Sequence, residues 1–120
     1  MLVAVYGTLK STGSARAVLL NFESTHVSDV HSHQITMYKT PYGFPGAVKK
    51  TPVSPAGTFI ELWEITYDCL KFLDSVEGVV RDNPRKGLFR RETIETDYGV
   101  AYVYLYNGTD MATDKEIVNW

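Results

Sequence analysis

One cysteine, Cys69, stands in the 120 residues, and a lone thiol closes no intrachain disulfide. Nothing in the chain therefore requires an oxidising compartment. No apolar run approaches the roughly 20 residues of a membrane-spanning helix. The opening segment Met1-Leu2-Val3-Ala4-Val5-Tyr6 is apolar, but it is too short for a signal peptide and no basic residue precedes it. Charge of one sign is also lacking: 12 Lys and Arg stand against 14 Asp and Glu, a net of -2. There is no global basic field to hold nucleic acid. A local cluster of Arg85, Lys86, Arg90 and Arg91 has two readings, a solvated loop and strand face or a patch that meets nucleic acid. Internal repeats and low-complexity tracts are absent. The expectation is a soluble protein of a bacterial or phage-infected host cytoplasm, with no membrane and no nucleic-acid partner. The oligomeric state is open.

What is present fits one domain over residues 1–120, long enough to bury a continuous core. Leu2 to Tyr6 reads as a buried strand that ends at Gly7. A Gly-, Ser- and Thr-rich loop runs to Gly13, and Ser14 is placed to cap a short helix through Leu20. His26–Val30 and His33–Lys39 are strand candidates, and Pro41 to Gly46 forms a turn segment. Pro52 to Gly57 is a further loop. Thr58–Ile65 alternates bulky and β-branched residues as a strand does. Thr66 then caps a helix carrying Leu70, Leu73 and Val76 at helical spacing, and Gly78 stops it. Leu88–Thr96 and Val100–Tyr106 form a hairpin across Asp97-Tyr98-Gly99. Strands outnumber helices. The pattern predicts an α+β domain, a small mixed β-barrel or strongly curved sheet with short flanking helices.

Five places have chemical potential, most with a plain structural reading beside them. The Gly7 to Gly13 loop between strand and helix either turns the chain or points several amides at one anion. Its glycine spacing is not that of a phosphate loop. Glu77, at the end of the second helix, is either a solvated glutamate or a carboxylate made more basic by the helix's negative pole. Tyr102, Tyr104 and Tyr106 alternate on one strand face, to line a pocket or to pack across strands. His31 and His33 share a strand face, but no nearby Cys or carboxylate completes a metal-ligand set, so no metal site is assigned. Cys69 lies beside Leu70, Phe72 and Leu73 and reads as a buried structural thiol.

These features fall together in one known order. Val5-Tyr6-Gly7-Thr8-Leu9-Lys10 resembles the Y-G-[ST]-L signature of the γ-glutamyl cyclotransferase-like superfamily, which includes γ-glutamylamine cyclotransferases and AIG2-like proteins. Phe44-Pro45-Gly46 is similar to its aromatic-Pro-Gly segment, and Glu61-Leu62-Trp63-Glu64-Ile65 to its middle strand. Leu73-Asp74-Ser75-Val76-Glu77-Gly78 resembles its L-D-x-x-E-G motif, and Phe89-Arg90-Arg91 with Ala101-Tyr102-Val103-Tyr104 its closing strands.

The resemblance implies a small mixed barrel with flanking helices and a cofactor-free, metal-free reaction on a small γ-glutamyl or amino-acid-like substrate. It implies Glu77 as general acid/base and Tyr6, Gly7, Thr8 and Leu9 as the loop that holds substrate through its backbone. Tyr104 is the tyrosine expected to complete the pocket. The reaction implied is release of 5-oxoproline and an amine from a γ-glutamyl-amine. A non-catalytic module that holds an amino-acid-like ligand in the same pocket is the competing reading. It rests on Ile60, where the family usually has glycine, which is expected to narrow the pocket.

Overall fold

The computed structural model describes residues 1–6, Leu19, 22–42, 44–49 and 57–108. Seven strands and one helix lie among them. They are β1 (Leu2–Val5), β2 (Ser24–Ser32), β3 (Ile35–Lys39), β4 (Pro45–Lys49), β5 (Thr58–Ile65), α1 (Tyr67–Val76), β6 (Phe89–Thr96) and β7 (Gly99–Tyr106). Five strands form one sheet in the order β2-β5-β1-β7-β6, and β3 and β4 form a separate hairpin. Within the sheet, β1 and β7 run parallel and the other neighbours antiparallel.

The central strands are covered on both faces, which is why β1 and β7 read as near-continuous apolar runs. Val3, Val5, Trp63, Ile65, Tyr104 and Tyr106 face α1 and pack with its Leu70 and Leu73. Ala4, Ile60, Leu62, Val103 and Leu105 face the other way and pack against Ile35, Met37 and Ala47 of the β3–β4 hairpin. A slip of one residue in any of these strands would exchange the two cores.

The sheet does not close into a barrel. β2 and β6 end it on opposite sides, and the hairpin that crosses one face is a separate ladder. Side chains tether that hairpin. The Tyr6 hydroxyl accepts from the Ala47 amide at 3.1 Å, and Thr58 Oγ1 donates to Ile35 O at 3.3 Å. Gln34 occupies the β6 edge like a short strand, donating from Nε2 to Glu95 O at 2.6 Å and accepting from the Glu95 amide at 3.2 Å. An edge closed by one side-chain amide is blunted without a barrel.

Pro45 and Gly46 lie inside strand β4, not in a turn. Proline suits a strand's first residue because it has no amide to give. Gly46 is required by contact: a Cβ there would lie 2.8 Å from Tyr106 Cβ and 2.9 Å from Thr40 Cγ2. Gly46→Ala is therefore expected to destabilise the protein by about 1–3 kcal/mol through overpacking. Equilibrium unfolding in urea measures this, and a variant within a few tenths of a kcal/mol of wild type would show that the hairpin yields freely.

The first expected helix, Ser14 to Leu20, and the 52–56 loop lie outside the described residues, although Leu19 itself is buried in the helix-side core.

Candidate active site

Helix α1 begins where Thr66 accepts a hydrogen bond from the Cys69 amide at 3.2 Å. Its buried positions are Cys69, Leu70, Leu73 and Asp74. That stripe continues to Glu77, three and four residues further on, which carries its carboxylate towards the sheet. Val76 was expected on the apolar stripe with Leu70 and Leu73, but it is 47% exposed. The helix ends as a C-terminal glycine motif does: Glu77 caps it, Gly78 takes φ +68, and the Val79 amide donates to Asp74 O at 2.9 Å.

The other wall comes from the sheet. The parallel β1–β7 ladder runs from Leu2–Ala101 to Ala4–Val103. Beyond it, Tyr6 reaches across with its hydroxyl to donate to Tyr104 O. A crevice past the carboxyl ends of parallel strands is the common ligand position in open sheets. Here it is a cavity of about 180 Å³, lined by the end of β1, Phe44 and Pro45 of the hairpin, Val76 and Glu77, Leu88 and Phe89, and Tyr104.

Glu77 is the one ionisable carboxylate among these lining residues. Burial pushes its pKa from 4.5 up to about 7. The cause differs from the helix-pole effect expected from sequence: removal from water dominates. A carboxyl poised near neutrality exchanges a proton in either direction.

Both tyrosine hydroxyls are already engaged. Tyr6 donates to Tyr104 O and accepts from the Ala47 amide. Burial raises its pKa well above the ordinary phenol value. Tyr104 donates to Asp74 Oδ1 at 2.7 Å, and burial followed by the Asp74 hydrogen bond keeps it protonated. The rings line the cavity while the hydroxyls act as struts. Tyr6→Phe is expected to cost about 1–3 kcal/mol, because the Ala47 amide and Tyr104 carbonyl both lose a partner. Denaturant unfolding checks it, and an unchanged midpoint and slope would contradict the strut role.

Asp74 sets the position of this wall. It is 4% exposed, an acidic residue inside the buried stripe, and its Oδ2 accepts from Arg91 Nη1 at 2.7 Å. Arg81 Nη2 stands 3.7 Å from the same oxygen. The Arg91 guanidinium lies 4.8 Å over the Tyr102 ring. The Leu73–Gly78 motif points to Glu77 and leaves Asp74 without a role. Its signal was position: a charge four residues after Leu70 falls on the buried face and requires a partner.

Of the residues expected at the site, Tyr6, Glu77 and Tyr104 come together around the cavity. Gly7, Thr8 and Leu9 lie outside the described residues. Ile60 does not line the cavity. It is buried on the opposite, hairpin side of the sheet, so it does not narrow the pocket. His31 stacks on Phe59 at 4.5 Å and meets His33 in a tilted pair at 4.6 Å between centroids. Among the described residues, no group of three or more His, Cys, Asp or Glu is placed to hold a metal. Cys69 is buried, and burial raises its pKa, which disfavours the thiolate. Of the four basic residues in the cluster, Arg90 is held by Glu92 and Asn107, and Arg91 by Asp74. No helix among the described residues is long and apolar enough to cross a membrane.

Fold and site together define a class: an α+β protein whose central parallel strand pair opens onto a cavity holding a single carboxylate. The chain belongs to the γ-glutamyl cyclotransferase, AIG2-like family, whose sequence profile matches residues 3–120. No curated protein sequence matches the chain significantly. Solved structures share the fold. An uncharacterized protein, PH0828 from Pyrococcus horikoshii, has a TM-score of 0.72 at 17% identity, covering 98% of this chain and 85% of that one. YtfP from Escherichia coli gives 0.67 at 24%, covering 99% and 93%. An AIG2-like protein from Mus musculus gives 0.67 at 17%, covering 99% and 86%.

Proposed function

We propose that the protein cleaves a γ-glutamyl-amine, or a similar adduct, by intramolecular aminolysis. The observation that carries this is Glu77: a carboxylate with its pKa pushed up to about 7, in an apolar cavity at the open end of the β1–β7 pair. A γ-glutamyl amide carries its own nucleophile. The Glu77 carboxylate takes a proton from the substrate's α-ammonium. The freed amine attacks the γ-carbonyl carbon and closes a five-membered ring. The bond from that carbon to the leaving nitrogen breaks as the protonated Glu77 returns its proton there, and the ring nitrogen gives its remaining excess proton through the same carboxylate to the amine. The products are 5-oxoproline and the free amine in its ammonium form, and one carboxylate serves every proton transfer. Attack within one molecule has a high effective molarity, so positioning supplies much of the rate.

In this reading the Tyr6-Gly7-Thr8-Leu9 segment holds the substrate's carboxylate or the developing oxyanion through backbone amides. Its support is the family motif and the place of Tyr6 at the cavity's edge. The partner is a small molecule, and this chemistry calls on no metal or nucleotide. Incubating the protein with a library of γ-glutamyl-amines and following 5-oxoproline by mass spectrometry tests the proposal. At least one member is expected to yield 5-oxoproline with its amine. A library that is bound but never converted would instead favour a ligand-holding module.

A further inference from the structure

The walls of the cavity differ in a way that distinguishes the two halves of such a substrate. Beside Glu77, the mouth is framed by Val76, 47% exposed, and Leu88, 41% exposed. Across from them stands Phe44, half-buried and 5.9 Å from Phe89 between ring centroids. Tyr42, 65% exposed, stacks on Phe44 at 5.7 Å with an interplanar angle of 11°. Aromatic surface thus runs without a break from solvent at Tyr42 down to Phe89. Singly exposed apolar residues are ordinary, but a contiguous apolar rim around one cavity marks a contact site.

We propose that this rim is the subsite for the leaving amine, and that the preferred amine carries an uncharged aliphatic or aromatic substituent. The inference rests on the cyclotransfer reading and adds a substrate class to it. The glutamyl half carries an α-carboxylate and an α-ammonium, and neither can lose water against Phe44, Leu88 and Val76 without compensation. The substituent on the leaving nitrogen is the remaining part of the molecule. The cavity of about 180 Å³ takes the reacting amide and the α-ammonium beside Glu77, and the substituent on the leaving nitrogen lies along the apolar rim at the mouth. A lysine-type amine, with its own ammonium and carboxylate, would bring two charges onto the apolar rim.

The test compares kcat/KM for γ-glutamyl-benzylamide, γ-glutamyl-isobutylamide, γ-glutamyl-methylamide and ε-(γ-glutamyl)-lysine. Benzylamide and isobutylamide are expected to exceed both others by on the order of tenfold or more, as burial of several apolar carbons implies. Leu88→Ser and Val76→Ser, both at exposed positions with folding checked by thermal melting, should each shrink that ratio severalfold. Conversion with a flat ranking, or with lysine preferred, overturns the subsite while the cyclotransfer reading stands. If nothing is converted, the affinities of benzylamine and free lysine are compared by NMR titration. Benzylamine binding that weakens in Leu88→Ser upholds the apolar subsite and sinks the reaction. Equal or absent binding of both sinks the subsite too.

Discussion

Glu77→Gln is expected to abolish turnover and to leave a protein more stable than wild type above neutral pH. Glutamine keeps the size of the side chain and a carbonyl acceptor, so the cavity wall is preserved. It can neither take the proton of the α-ammonium nor return one to the leaving amine. Loss of a general acid/base typically lowers the rate by about 10²–10⁴. The stability effect follows from the same burial. The Glu77 pKa is about 7 in the folded chain against 4.5 for a solvated carboxyl. Between those values the folded chain holds a proton that the unfolded chain has released. Wild-type stability therefore falls as pH rises from about 4.5 to about 7, and the penalty is complete above that window. Its size is up to about 3 kcal/mol, at 1.36 kcal/mol per pKa unit. Glutamine removes the penalty. Urea unfolding at pH 5 and pH 8, with rates on the same samples, checks both halves. The variant should lie within about 1 kcal/mol of wild type at pH 5 and exceed it by more at pH 8. A variant that keeps a near-wild-type rate would remove Glu77 from the mechanism.

Arg91→Met should destabilise the protein by about 2–3 kcal/mol and impair catalysis from a distance. The change leaves the buried Asp74 carboxylate without its guanidinium 2.7 Å away. Breaking a buried ion pair from one side costs about 3–5 kcal/mol. The lower figure applies here because the Arg91 side chain is 29% exposed and Arg81 stands near the same oxygen. Asp74 also accepts from Tyr104, whose ring lines the cavity, and sits three residues before Glu77. Loosening it moves the wall that carries the carboxylate. Asp74→Asn in the same chain should restore much of the loss, since a neutral amide still accepts from Tyr104 and has no charge to compensate. A double-mutant cycle measures that coupling. Additive effects would show that the two side chains do not act as a pair.

Much of this architecture is local and was readable in the chain. Thr66 and Gly78 bracket α1 because a hydroxyl cap and a left-handed glycine are short-range devices. The β6–β7 hairpin follows from alternation on both sides of Asp97-Tyr98, with Thr96 pairing with Gly99. The even-numbered tyrosines of β7 do share one face, directed to the helix-side core. What escaped depends on distant partners. Pro45-Gly46 has the composition of a turn, and only the approach of Tyr106 makes it a tightly packed strand. Whether the sheet closes depends on its two edges meeting, which no local pattern encodes. The pocket at Glu77 was inferred from a motif, whereas the burial that tunes it comes from β1, β4 and β6. Ile60 was expected to narrow the pocket because the family usually has glycine there, yet its side chain packs in the hairpin-side core. The role of Asp74 becomes visible only when Arg91 and Tyr104 are brought to it.

The central claim is that the substrate's own amine, and not water, attacks the γ-carbonyl. Conversion of a γ-glutamyl-amine in ¹⁸O-labelled water, followed by mass spectrometry, separates the two directly. The account predicts equimolar amine and unlabelled 5-oxoproline, with the signal lost in Glu77→Gln. Glutamate carrying ¹⁸O in its γ-carboxylate would show hydrolysis and contradict it.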